Sequence, residues 1–240
     1  MEKRYELFQG DCFELLKNIP DKSIDLVITD PPYLHNTSRS KGGHTALAKS
    51  DLMQAVLNNL SDFTPEVCFK MLDEIKRVMK QMDGYFFCNE RLVGTYCKWA
   101  DENKFLVNIL TWNKPLSILN RNRFSTNCEY IVRIHTASGT CLNSIDFDKY
   151  PDYKKYYSKY QYYPQLRGKE KLHPTQKPTE LIDGYIILSS KENDVILDPF
   201  MGSGSTGESA LRLGRKFIGM ELDEKYFNIA KERIEKLDNW

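Results

Sequence analysis

Seven short runs of almost unbroken apolar residues punctuate this chain. Between them lie longer stretches in which apolar residues return every three or four positions. The runs are Tyr5–Gln9, Ile24–Thr29, Gly84–Asn89, Leu106–Trp112, Glu129–His135, Asp194–Leu197 and Lys216–Met220. Most are continuous rather than alternating, the pattern of strands covered on both faces. The clearest of the longer stretches, Pro65–Met82, carries Cys68, Met71, Leu72, Ile75, Val78, Met79 and Met82 along one helical stripe. Helices are also predicted at Asp11–Asn18, Arg91–Asn103, Pro178–Ser190, Ser205–Leu213 and Glu224–Leu237. Strands alternating with helices predict an α/β fold: a Rossmann-like, mostly parallel, seven-stranded sheet with helices on both faces.

Two segments break the alternation. Leu34–Ser50, with its Gly42-Gly43 pair and scattered cations, reads as a long loop of the functional kind. Thr136–Leu172 is rich in Tyr, Lys and Asp and poor in aliphatics, so it reads as an insert rather than core. The 240 residues suit one domain, 1–240, carrying that insert at about 136–172.

Composition narrows the class. No apolar run approaches the ~20 residues that span a bilayer, and no apolar stretch follows the charged N-terminus, so a cytoplasmic protein without membrane contact is expected. The six cysteines include no CxxC pair and the four histidines are scattered, so no metal site is expected. The net charge is only +1, but its distribution is uneven. Between Lys149 and Lys177 eight basic residues face two acids, Asp152 and Glu170, and local charge is what meets phosphate.

Two motifs carry the chemistry. Asp198-Pro-Phe-Met-Gly-Ser-Gly-Ser-Thr-Gly207 follows the apolar run Val195–Leu197 and precedes a predicted helix. Its glycines let backbone approach a ligand, and Glu221, about 20 residues on, is placed to accept from ribose hydroxyls. Taken alone this pair suits NAD as well as any other nucleoside cofactor. Asp198, at the strand tip, favours a ligand that bears an ammonium group over one that bears a pyrophosphate. Asp30-Pro31-Pro32-Tyr33 follows the run Ile24–Thr29. The amine of a nucleobase is a poor nucleophile because its lone pair is delocalised into the ring. Two acceptors on its two N–H groups favour a tetrahedral nitrogen, and here the Asp30 carboxylate and the Pro31 carbonyl can serve. The prolines stiffen the loop, and Tyr33 can stack on the base.

With His173-Pro-Thr-Gln-Lys-Pro178 added, the chain resembles the β class of DNA amino-methyltransferases. Gly10-Asp11-Cys12, Thr111-Trp-Asn-Lys-Pro115, Glu129-Tyr-Ile-Val132 and Arg212–Gly219 extend the resemblance over most of the chain. In that class the catalytic motif precedes the glycine loop, a circularly permuted order. The resemblance implies S-adenosylmethionine as methyl donor, held by Asp11, Cys12, Thr175, Lys177, Asp198, Phe200, Gly202, Gly204, Ser205, Thr206, Glu221 and Leu222, with Thr175 and Lys177 at its carboxylate. It implies Asp30, Pro31, Pro32 and Tyr33 as the catalytic group and double-stranded DNA as substrate, in a restriction-modification setting. Asp rather than Ser at the head of Pro-Pro-Tyr favours adenine N6 within the class. N4-methylation of cytosine is the nearest alternative, and a nicotinamide-dependent oxidoreductase the alternative outside it. Few residues remain to read a target sequence beyond the insert and Pro115–Asn127, so a homodimer is a candidate arrangement. The Tyr- and Lys-rich insert is the expected DNA-recognition element.

Overall fold

The computed structural model describes residues 3–32, 63–114, 127–136, 148–164 and 176–238. The strands are β1 (Tyr5–Gln9), β2 (Leu26–Thr29), β3 (Asp83–Cys88), β4 (Leu106–Asn113), β5 (Cys128–His135), β6 (Tyr160–Tyr162), β7 (Val195–Asp198) and β8 (Lys216–Glu221). The helices are α1 (Cys12–Leu16), α2 (Pro65–Val78), α3 (Glu90–Glu102), α4 (Thr179–Ser189), α5 (Ser205–Arg212) and α6 (Glu224–Asp238). All strands join one sheet in the order β1-β8-β7-β2-β3-β5-β4-β6. β5 runs antiparallel to both its neighbours, and every other pairing is parallel.

The continuous apolar runs are explained by what covers them. In β2, Val27 points into a core shared with α1, α2 and α3, while Leu26 and Ile28 point into one shared with α4, α5 and α6. Both faces are dry, so the strand is apolar up to its last residue, Thr29, which is buried as well. The α4 side includes a stacked pair, Tyr85 on Tyr185, with ring centroids 4.4 Å apart. α4 is buried from Leu181 to Ser189, which is why its sequence lacks a polar stripe.

The structure departs from the sequence reading at two elements. The helix expected over Pro65–Met82 stops at Val78, because Met79 turns to extended backbone and bridges Ile24 beside the start of β2. The sheet has eight strands rather than seven. The eighth, β6, comes from the segment read as an insert and lies along β4, with Thr111 opposite Tyr160. Its three residues expose Tyr160 and Tyr162 and bury the polar Gln161, so hydrophobic periodicity does not betray a strand there.

The strand order places the site. β7 and β2 are neighbours near the middle of the sheet. From β7 the chain continues to β8 on one side, and from β2 it continues to β3 on the other. Such a divergence opens a crevice at the carboxyl ends of the two strands. The two motifs follow those two ends.

Candidate active site

The side of the crevice that follows β7 is shaped by backbone. Asp198 ends β7 beside Gly219 of β8, and Gly202 and Gly204 turn the chain into α5 with φ of 52° and 79°. A side chain at Gly204 would sit 3.1 Å from the Ala230 Cβ of α6, so the glycine also serves helix packing. Glu221 ends β8 opposite Gln9 of β1. Its carboxylate accepts from the Gly202 N–H at 2.9 Å and the Asp223 N–H at 2.9 Å, while its carbonyl accepts from the Gly10 N–H at 2.9 Å. Burial raises the Glu221 carboxyl above the usual range despite those amides.

Asp11 and Cys12 stand next to Glu221 across the β1–β8 pair. Asp11 caps α1, its Oδ1 accepting from the Phe13 N–H at 2.8 Å. Cys12 is buried, and burial together with the nearby Asp11 charge pushes its thiol up to about 12, so it stays a neutral apolar contact. Leu222 is 59% exposed just past Glu221, apolar surface at the lip of the crevice. Ser205 and Thr206 are buried in the first turn of α5. Phe200 lies edge-on to Phe63, with ring centroids 6.1 Å apart.

Asp198 joins the two sides. Its Oδ1 accepts from the Thr29 hydroxyl at 2.7 Å and the Phe200 N–H at 3.1 Å, and its carboxylate also bonds the Thr206 hydroxyl. Burial raises its carboxyl to about 7, more than these donors lower it, and nearby Asp30 adds to the rise. Thr29 and Asp198 are 169 residues apart in the chain, so this bond holds the two strand tips together.

The side that follows β2, where the sequence reading expects the amine, is made of charged side chains. Asp30 follows Thr29 directly, and its carboxylate is ion-paired with the Lys177 ammonium. Lys177 also lies 3.3 Å from Glu129 Oε2, and Glu129 Oε1 is paired with Lys114. The Lys177 ammonium sits 5.1 Å from the centroid of the Phe87 ring. Burial would pull the Lys177 ammonium down, but Asp30 and Glu129 reverse that and hold it above its ordinary value. Glu129 is likewise held below the usual range: burial pushes it up, and Lys177 and Lys114 more than offset the push.

The structure therefore gathers Asp30 and Pro31 with Asp11, Cys12, Lys177, Asp198, Phe200, Gly202, Gly204, Ser205, Thr206, Glu221 and Leu222 along one edge of the sheet, with Pro32 next in the chain. Tyr33 and Thr175 lie outside the described residues, as does most of Pro115–Asn127. Lys177, expected at the donor's carboxylate, is engaged by Asp30 and Glu129. Three participants escaped the sequence reading: Thr29, Glu129 and Lys114. Glu129 had a signal, since it is the lone acid in the strand Cys128–His135, but its partner Lys177 lies 48 residues further along the chain.

A three-layer α/β sheet with a glycine turn, a carboxylate at the end of the next strand and an acidic loop at the switch point is the architecture of an enzyme that uses a nucleoside cofactor. The chain belongs to the DNA methylase family, whose sequence model matches residues 24–232. It is 32% identical to the type II methyltransferase M.HinfI of Haemophilus influenzae, over 96% of this chain and 68% of that protein. It is also 32% identical to the type II methyltransferase M2.LlaDCHI of Lactococcus lactis subsp. cremoris, over 96% of this chain and 89% of that one. Among solved structures it resembles M1.HpyAVI in complex with SAM, with 25% identity and a TM-score of 0.65 over 96% of this chain and 98% of that one. The cytosine-N4-specific PvuII methyltransferase shares the fold, with a TM-score of 0.73 at 18% identity over 99% of this chain and 91% of that one.

Proposed function

We propose that this DNA methylase transfers a methyl group from S-adenosylmethionine to the N6 amine of adenine in double-stranded DNA. The observation that carries the reading is the 2.7 Å bond between Thr29 and Asp198, which brings the acidic loop and the glycine loop to one crevice. The donor half fits the cofactor. Glu221 keeps acceptor capacity for ribose hydroxyls beyond the two amides it binds, because a carboxylate has about four acceptor sites. The turn at Gly202 and Gly204 keeps backbone, not side chain, against the ligand. Asp198 takes the ammonium group, and Asp11, Cys12 and Leu222 border the adenine ring. When bound, S-adenosylmethionine supplies an electrophilic methyl on a sulfonium centre.

The protein's own part is to prepare the amine. Asp30 Oδ and the Pro31 carbonyl accept its two N–H groups, which localises the lone pair on nitrogen and stabilises charge that develops there. Tyr33 stacks on the base after it has left the duplex. The segment at about 136–172 reads the DNA. In its described part, Tyr160 and Tyr162 are 73% and 69% exposed on the edge strand, next to Lys154, Lys155 and Lys159.

A labelled-methyl assay on DNA, followed by nucleoside analysis, tests the assignment. N6-methyladenine is expected. N4-methylcytosine as the sole product would overturn the adenine reading and leave the family untouched.

A further inference from the structure

The amine side holds a line of four alternating charges, Lys114, Glu129, Lys177 and Asp30, in which each neighbouring pair is in ionic contact. It spans the sheet from the antiparallel β4–β5 pair to the loop after β2. We infer that Lys177 and Glu129 are positioning residues, which together fix the orientation and negative charge of the Asp30 carboxylate for the incoming amine. This rests on the reading of Asp30 as the amine's acceptor.

The geometry argues for that task over two others. A donor ligand would need an ammonium able to meet a carboxylate from outside, yet the Lys177 side chain is 6% exposed and already lies between two protein carboxylates. A merely structural pair would be complete with one partner of each sign. Here Glu129 already has Lys114, so Lys177 is not needed to neutralise it, and the ammonium is shared with the Asp30 carboxylate. The arrangement also limits movement. The Phe87 ring lies 5.1 Å from the Lys177 ammonium, and the Trp112 ring 4.9 Å from that of Lys114, so both cations are backed by aromatic rings, on the two strands that flank β5. Asp30 retains acceptor sites for an amine after receiving Lys177, since a carboxylate accepts from several donors.

The charge has a consequence for chemistry. Asp30 is close enough to Asp198 for the two to interact, and carboxyl groups that share a site tend to retain a proton. An Asp30 that held a proton would lose acceptor strength at the moment it is needed. Among the described residues, the buried Cys88 thiol of β3 and the buried Tyr96 phenol of α3 also interact with the Asp30 charge, and both are held neutral chiefly by burial. Lys177 is a cation in contact with Asp30 and favours its charged form, and Glu129 keeps Lys177 in place.

The test compares Lys177→Met, Lys177→Arg, Glu129→Gln and the double variant K177M/E129Q with the parent enzyme, by single-turnover methyl transfer against pH and by calorimetric titration with S-adenosylmethionine. Lys177→Met should lower the rate at saturating donor by ~100-fold, with donor affinity within about threefold. Its acid limb should move up by roughly one pH unit. Lys177→Arg should restore ~10-fold or more of the loss. Glu129→Gln should lower the rate by ~10-fold, shift the acid limb the same way, and add little in the K177M background, as expected for groups acting in series. A rate for K177M close to the parent's at every pH, with donor affinity weakened by ~10-fold or more, would make Lys177 a donor ligand and overturn the inference. If K177M does not fold, Glu129→Gln decides alone: an acid limb that stays where it was overturns the proposal. Asp30→Ala is the control for the underlying reading. Full activity there withdraws the acceptor role and the inference with it, whereas an inactive D30A beside an unimpaired K177M withdraws only the inference.

Discussion

At the β1–β8–β7 end of the sheet the site is made of backbone. Glycine φ angles, a carboxylate held by two amides at 2.9 Å each, and a helix start define its shape, and most of its parts lie within 24 residues of one another. At the β2–β3–β5–β4 end the site is made of side-chain charges that meet across 147 residues of chain. The contrast follows from what each half handles. The donor is the same molecule in every turnover, so rigid amides and a tight turn suffice. The amine arrives on a base extracted from a polymer, and its nitrogen changes charge during reaction. A preorganised ionic environment is what stabilises such a change.

If the two halves divide labour in this way, damage to each should show in a different kinetic constant. Asp30→Ala is expected to cause the largest loss, ~10³-fold or more in kcat, with donor affinity unchanged within about threefold. Glu221→Ala should do the reverse. It removes the acceptor for the Gly202 and Asp223 amides as well as for the ribose, so Kd for the donor should rise by ~10–100-fold while kcat at saturating donor stays within a few fold. Both variants are read by the same pair of measurements, methyl transfer and calorimetry. Matching losses in both constants for both variants would abolish the division. Gly204→Ala comes next. It forces φ of +79° on a residue with a side chain and places a Cβ 3.2 Å from the Ala230 backbone. A loss of about 1–3 kcal/mol is expected, seen as a thermal midpoint lower by several degrees, with the amine half unaffected at permissive temperature.

The same division explains what could be read from the sequence. The glycine turn, the strand before it and the carboxylate after it are local, and each obeys a rule of spacing. Asp198, Gly202, Gly204 and Glu221 were therefore legible together. The central strands β2, β3 and β7 were legible for a related reason: burial on both faces leaves a nearly unbroken apolar signature. β6 was not, because a short edge strand with two exposed tyrosines buries too little to leave one. The ionic line was hidden in another way. Lys114, Glu129 and Lys177 stand in three separate segments, and nothing in their spacing reveals that a strand pairing sets Glu129 opposite Trp112 with Lys177 above the neighbouring Phe87. Thr29 looked like the last residue of an apolar run. Its hydroxyl acquires a purpose only once β7 lies alongside.

Asp198 stands on the boundary between the halves, and its titration gives the smallest effect and the finest test. Burial raises its carboxyl from the ordinary 3.8 to about 7. Between those two values the folded protein keeps a proton that the unfolded chain has released. The free protein's stability should therefore fall as pH rises through that window and level off above it. An ammonium group docking against Asp198 reverses the preference, since it favours the carboxylate. Donor binding below pH 7 must then expel a proton, and affinity should improve as pH rises, being about tenfold weaker at pH 6 than at pH 8 and level beyond. Calorimetry in buffers of different ionisation enthalpy counts that proton directly. Asp198→Asn should flatten both profiles, weakening donor binding above pH 7 while removing the loss of stability with rising pH. A donor affinity that is level from pH 6 to pH 8 in the parent protein would place the ammonium away from Asp198, and would leave that residue the structural task of bonding Thr29, Phe200 and Thr206.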